Sequence, residues 1–447
     1  MNKRYDAIIV GGGISGLGTA GLLSKAGKKV LLLEKKKAVG GRAATFRKDG
    51  VVKSMGQHTP MFNGRLEELF GRLGIVDLPK EPFTDIYMFI DGKFISILDV
   101  FQLVPERCDP VEIEMIMKVM DSGVDLEELD DIPADQWLKP YIKTDFFHEL
   151  IRMAAIVMCT IPRLEDMAAS IVYDSIKILM NSLFMWQASN GISEYWEAMA
   201  DKIRANGGTV MTGAHVKSII VDKGRATGVL IADKFIGDED IEGEIGSVTR
   251  IEAPLVISAI PIWEIFKLIP EEKFPDDFVK KAWNVEERTA NLGLTALLSQ
   301  SIDDNKALYM LDFPNVGYFG TIFMPSNVAS NIAPKGKQLF EASIITDYSL
   351  KKDQKKIYHM REMLYKDLQI IYPGWEKYVI WQNTYFHYEE PKRTPGRAGK
   401  HRPGSKAPNI EGLYFCGDSV ASRALPGMEC AADSAMLCAK AILGDTP

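Results

Sequence analysis

Gly11-Gly12-Gly13-Ile14-Ser15-Gly16 follows an all-apolar run, Ala7–Val10, and opens a stretch that reads as helix over about residues 15–26. Few patterns restrict a fold so tightly, because glycines at these positions after a buried strand meet three separate steric needs. Gly11 permits the sharp turn, Gly13 leaves room for a pyrophosphate to approach the backbone, and Gly16 lets the helix pack against the strand. The helix's amino end, with Ile14 and Ser15 beside it, would aim free N–H groups and the positive dipole end at the phosphates. A second strand over residues 30–33 ends in Glu34, followed by Lys35. That carboxylate lies about 20 residues beyond the glycines, where an acid accepts hydrogen bonds from an adenosine ribose. The competing reading is an unliganded tight turn beside a solvated glutamate, and it leaves the strand–helix–strand pattern unexplained.

The chain has 447 residues, so two domains are expected. Its 46% hydrophobic and 25% charged content is ordinary for a globular protein and points to neither disorder nor a fibrous class. A net charge of −7 argues against nucleic acid as a partner. Cys108, Cys159, Cys416, Cys430 and Cys438 are scattered without a C-x-x-C pair, which suggests buried thiols in a reducing compartment. The first strand begins within a few residues of the first methionine, so no signal peptide is expected. With no run of 18 apolar residues, the expected location is cytoplasmic.

Two further signals resemble parts of the same cofactor site: Gly40-Gly41-Arg42 and, near the C-terminus, Gly417-Asp418 after the strand at 412–416. With the first loop they indicate FAD. Between these blocks the pattern departs twice. Residues 83–190 are dominated by helical stretches, at Pro110–Ser122, 144–160 and 163–185. Strand-and-turn patterning then resumes with a helix at 193–206 stopped by Asn206-Gly207-Gly208, a strand region at 209–213, a hairpin about Lys223-Gly224 and a strand at 256–259. Residues 288–394 leave it again, with strands at 292–298 and 339–345 and a helix at 353–371; a closing helix is expected over Met428–Leu443. The expected fold is α/β: a Rossmann-type FAD-binding domain (1–82, 190–287 and 395–447) plus an α+β substrate domain with antiparallel sheet and helices (83–189 and 288–394).

The order and spacing of these blocks, with "SNGISEYWEAMADKIRANGGTVMTGAHVKSI", "APLVISAIP" and "GLYFCGDSVASRALPGMECAADSAMLCAKAI", resemble the flavin-containing amine oxidase and phytoene desaturase superfamily, in its phytoene dehydrogenase-like branch. The resemblance covers the cofactor half of the chain and implies a glutathione reductase-like FAD domain, and non-covalent FAD is expected. It implies that Gly11, Gly13 and Gly16 hold the pyrophosphate and Glu34 the ribose. Gly41 and Arg42 would lie by the phosphates and flavin edge, and Val216 would read the adenine through its backbone. Asp418, following Gly417, would bind the ribityl chain or pyrophosphate, and Met428 would lie near the flavin ring. Amine oxidases of this superfamily place an aromatic residue just before the last helix's Met-Glu, as one wall of a cage around the amine. Here that residue is Gly427, so amine oxidation falls behind.

The expected chemistry is therefore desaturation, saturation or isomerisation at C–C or C=C bonds of an apolar substrate, prenyl-derived or alicyclic, with hydride transfer at flavin N5 and a quinone or O2 as electron acceptor. The alternatives are an oxidase of an amine or porphyrinogen, and a flavoprotein without turnover that serves as a binding or redox-partner module. No metal-spaced cluster competes. His58, with Gln57, stands where the family's N-terminal segment passes the flavin and would orient a substrate or accept a proton, with a buried structural histidine as the equal alternative. Glu429 is expected to cap or anchor the last helix's start. The Met- and aromatic-rich stripe at 146–186 reads mostly as core, with a flexible Met-rich wall for a bulky apolar substrate as the alternative. The seven basic groups of 392–406 read as a solvated loop, with a peripheral contact to anionic lipid or a substrate anion as the alternative.

Overall fold

The computed structural model describes residues 4–54, 59–83, 85–181, 185–232, 235–236, 244–245 and 248–444. Ala7–Val10 is the middle strand of a five-stranded parallel sheet, ordered Leu413–Phe415, Leu255–Ser258, Ala7–Val10, Val30–Glu34, Thr209–Thr212. Both of its faces are covered, which explains its uninterrupted apolar sequence. Ala7 and Ile9 pack with Leu17 and Leu23 of the helix Ile14–Lys25, with Trp196 and Met199 of Ser193–Ala205, and with Ala432 and Ala435 of Met428–Leu443. Ile8 and Val10 pack the other way, against an antiparallel sheet of His215–Asp222, Arg225–Ala232 and Val248–Glu252 and against Phe278 of the helix Asp276–Asn284. Ile8 and Ile9 are fully buried, each worth about 1.5–3 kcal/mol of apolar burial.

A second sheet has seven strands, ordered Val379–Pro391, Arg288–Leu298, Gln338–Asp347, Tyr318–Phe323, Ala307–Phe313, Asp85–Ile90, Lys93–Ser96. Its neighbours are antiparallel except Ala307–Phe313 and Asp85–Ile90, which run parallel. Strand periodicity divides its two faces. Leu292, Leu294, Ala296 and Leu298 join Phe340, Ala342 and Ile344 in a core closed by the helix Gln354–Ile371. The opposite face carries Asn291, Thr295, Glu341, Ser343 and Tyr385, with Thr295 opposite Glu341 in register. Glu341 and Ser343 are nonetheless buried.

The segment 83–190 differs from its helical expectation. Asp85–Ile90 and Lys93–Ser96 form a hairpin in the seven-stranded sheet, and Met185–Ala188 pairs with Lys80–Phe83. In Asp85–Ile90 the half-buried and exposed positions carry Tyr87 and Phe89, so a strand burying alternate residues reads as a continuous apolar run. The helix expected over 163–185 shortens to a 3₁₀ turn, Leu164–Asp166, and the helix Ala169–Asn181. Much of the apolar stripe is core, as Phe147, Met153 and Met167 show, whereas Met180 is exposed.

Candidate functional site

The glycine loop follows its steric reading closely. Gly11 has φ +108°, and a Cβ on Gly16 would stand 2.0 Å from the Gly11 carbonyl oxygen, so helix and strand touch as backbones there. Gly12 is constrained less severely, since its Cβ would meet the Glu34 side chain at 2.9 Å. Gly13 differs: it is the N-cap of the helix Ile14–Lys25, no side chain caps that end, and a Cβ there would meet nothing within 4 Å. An uncapped helix amino end beside open space suits a pyrophosphate, which is the fit expected of a dinucleotide cofactor.

Buried Glu34 closes the loop, accepting hydrogen bonds from the Gly12 N–H at 2.6 Å and the Lys36 N–H at 2.8 Å. Each carboxylate oxygen keeps a second lone pair for a ribose hydroxyl. Its carbonyl accepts from the Ala214 N–H at 2.8 Å, which brings Val216 to this end of the sheet, while Lys35 is exposed. The Gly40 N–H donates to the Gly12 carbonyl at 2.8 Å, and a Cβ on Gly41 would stand 3.3 Å from Gly13 Cα.

Arg42 reaches from this turn to the C-terminal block. Its guanidinium pairs with the Asp418 carboxylate, donates to the Glu389 carbonyl and lies 5.2 Å from the centre of the Tyr388 ring. Gly417 has φ +138°, and its N–H donates to Ser434 Oγ at 2.8 Å. A Cβ on Gly417 would lie 3.9 Å from Ser15 Oγ, so the last block abuts the first helix. Met428, half-buried, begins the last helix and packs into the core shared with Leu17. The structure thus joins loop, acid, turn and C-terminal block, while His58 and Gln57 lie outside the described residues.

Glu390 is a residue that the sequence reading missed. It lies in the strand Val379–Pro391, one residue beyond the carbonyl held by Arg42, and is 5% exposed. Thr160, at φ +49° beyond the helix Asp145–Cys159, donates its hydroxyl to Glu390 Oε1 at 2.8 Å. Oε2 lies 3.3 Å from where a Cβ on Gly427 would stand, so a carboxyl faces the position where an aromatic wall is missing. Burial pushes the Glu390 carboxyl up to about 8, although the Thr160 hydroxyl and the Arg393 charge pull it down. Its sequence signal is slight, a Glu-Glu-Pro at a strand end, and its burial depends on distant segments.

Glu429 corrects its expectation, because it caps a neighbouring helix. Its Oε2 accepts from the Leu66 N–H at 3.0 Å, at the start of Arg65–Leu73, and a Cβ on Gly64 would clash with it at 2.5 Å. Burial pushes this carboxyl up to about 7. The basic segment is likewise no solvated loop. Lys392, Arg393 and Arg402 are buried, and Arg402 donates to the carbonyls of Pro391, Lys392, Arg397 and Asp418. Lys392 and Arg397 pair with Glu287, and Lys400 and His401 with Asp131.

These features define a mixed α/β dinucleotide-binding oxidoreductase, and comparison with known proteins agrees. The profile of the family "Flavin containing amine oxidoreductase" matches residues 14–443, and the chain belongs to that family. It is 24% identical to the prolycopene isomerase of Daucus carota, over 99% of this chain and 81% of that one. It is 30% identical to amine oxidase B of Rattus norvegicus, but over only 31% of this chain and 26% of that one. An oxidoreductase structure from Methanosarcina mazei superimposes with a TM-score of 0.77 at 18% identity, covering 96% of this chain and 98% of that one. The protein is an oxidoreductase of the flavin amine oxidase family, and its cofactor is FAD. All five cysteines are free and buried, and among the described residues no helix is long and apolar enough to cross a membrane.

Proposed function

We propose that the protein transfers hydride to or from C–C or C=C bonds of an apolar substrate, prenyl-derived or alicyclic, in the manner of desaturases, saturases and isomerases. The observation that carries this reading is the wall at Gly427. An amine cage draws its substrate nitrogen by packing and by the ring quadrupole. Here the chain has backbone at that position, backed by a buried carboxyl whose burial favours the neutral form. The near full-length likeness to a prolycopene isomerase supports the same direction, whereas the likeness to an amine oxidase covers about a third of the chain.

FAD, when bound, supplies a two-electron centre that accepts or returns hydride. The chain's own groups bind and orient it. Gly11, Gly13 and Gly16, with the N–H groups at Ile14 and Ser15, take the pyrophosphate, and Glu34 takes the ribose beside Lys35 and Val216. Gly41, Arg42, Gly417 and Asp418 would hold the segment between phosphates and flavin, with Met428 on the flavin side. The cofactor unit, of Rossmann type and glutathione reductase-like, comprises 1–82, 190–287 and 395–447; the substrate unit comprises 83–189 and 288–394. In support, all five parallel strands come from the first set and all seven of the other sheet from the second.

The test is reoxidation of anaerobically reduced, FAD-loaded protein by air and by a soluble quinone. Rapid oxidation by quinone with slow oxidation by air is expected. Fast oxidation by air would overturn the reading in favour of an oxidase of amines or porphyrinogens.

A further inference from the structure

Glu390 and Arg393 each keep hydrogen-bonding capacity unspent. Thr160 occupies Glu390 Oε1, but no donor among the described residues meets Oε2. Arg393 is 2% exposed and gives Nη1 to the Ala424 carbonyl at 2.7 Å, leaving Nη2 buried without a partner among the described residues. The two side chains do not form an ion pair with each other, so both keep an unspent group. Buried polar atoms are nearly always satisfied, and exceptions call for a ligand, a water or a chemical role. Glu390 Oε2 itself lies 3.3 Å from where a Cβ on Gly427 would stand, and Glu390 is one residue beyond the carbonyl that Arg42 holds.

We propose that Glu390 is the catalytic proton carrier of this site, its free Oε2 exchanging a proton with the substrate carbon next to the one that exchanges hydride. The inference rests on the C–C/C=C reading given above. In the oxidative direction FAD, when bound, would take up the hydride from one substrate carbon. The C–H bond of its neighbour breaks, the electron pair becomes the second bond of C=C, and the proton bonds to Oε2. Saturation reverses each transfer, and the proton then leaves Oε2 for carbon.

A general acid–base works best when it titrates near the operating pH, and burial has moved this carboxyl upward by that route. The charged or titratable groups around it are Glu389, Arg393, Arg402 and Asp418, with Cys159 on the helix behind. Thr160 is a positioning residue: its hydroxyl fixes Oε1 and so aims Oε2 at Gly427.

Two measurements on FAD-loaded protein test the assignment. In the first, the absorbance of bound oxidised FAD is titrated with pH in the wild type, E390Q, T160V and T160S. The wild-type band is expected to shift with a midpoint near 8. T160V should raise that midpoint, because a donor to the ionised form is lost; T160S should leave it in place, and E390Q should abolish it. Glu429 remains in every variant as a constant background. A titration unchanged in E390Q overturns the proposal, and T160V keeps the test available if E390Q loses flavin.

In the second, reduced protein is given a detergent-dispersed prolycopene or another conjugated polyene in deuterated water. Deuterium is expected to enter the polyene, with E390Q slower by about 100-fold or more. Equal incorporation by E390Q overturns the proposal. If the wild type labels no polyene while its flavin still follows Glu390, the apolar-substrate reading fails and the proton-carrier role falls with it, whereas labelling that is equal in E390Q overturns the role alone.

Discussion

Gly13 and Gly16 are three residues apart in one motif, yet their surroundings assign them opposite tolerances. A Cβ on Gly16 would overlap the Gly11 carbonyl, so G16A should disrupt the strand–helix contact and lower stability whether or not flavin is present. A Cβ on Gly13 would meet no protein atom, so G13A should unfold within about 0.5 kcal/mol of the wild type as apoprotein. Its flavin content should nevertheless fall, because the methyl group would fill the space for the pyrophosphate. The flavin-to-protein absorbance ratio, with denaturant unfolding of apoprotein, checks both. Full flavin retention by G13A would place the phosphates elsewhere. Gly11 and Gly16 were legible in the sequence because left-handed φ at the one and close backbone approach at the other are demands that only glycine meets well. Glu390 was not legible, because its burial and free oxygen depend on Thr160 and Gly427, which are distant in the chain.

At the scale of elements, period-2 patterning revealed the long central strands but not which face of the seven-stranded sheet would be polar and still buried. Lys53, at the end of Val51–Ser54, shows how that face is satisfied. Its ammonium lies 3.2 Å from Glu341 Oε1, donates to Thr295 Oγ1 and sits 4.9 Å from the centre of the Tyr385 ring. Both charged side chains are 5% exposed. In the sequence, Lys53 is only a lysine within a short β run, and its partner is nearly 290 positions away. Removing one partner of a buried pair strands the other charge, so K53M should cost about 3–5 kcal/mol. K53M/E341Q should recover most of that loss. A penalty for K53M below about 1 kcal/mol in denaturant unfolding would mean that water already reaches Glu341. Glu429 carries the same lesson between helices: an acid at the start of one helix caps the start of another, which linear position does not show.

The whole molecule carries several buried carboxyls whose proton affinities differ from those of the unfolded chain, and their sum sets how stability follows pH. Burial pushes Glu390 up to about 8, Glu429 to about 7 and Asp174 to about 6. For these acids the folded state binds more protons than the unfolded state once pH exceeds the ordinary carboxylate range. These three acids therefore lower stability as pH rises from about 5 through 8, because the slope takes the sign of unfolded minus folded bound protons. Asp130 acts oppositely: although burial opposes its ionisation, the Arg423 guanidinium and other donors hold its carboxyl below the usual range. Asp347 is held down in the same way against burial by the Lys392 ammonium. Their stabilisation is complete above the unfolded carboxylate range and is lost as pH falls below it. The two sets together place maximum stability near pH ~5, between the loss at low pH and the rising cost of ionising Glu390 and Glu429. Denaturant unfolding across this range should show the decline toward pH 8, and E390Q should flatten its upper part, since an amide has no proton to lose. A wild-type profile already flat from 5 to 8 would mean that Glu390 ionises in a wet site. In the proton-carrier role, the same desolvation lowers stability at neutral pH and keeps the carboxyl ready to exchange a proton.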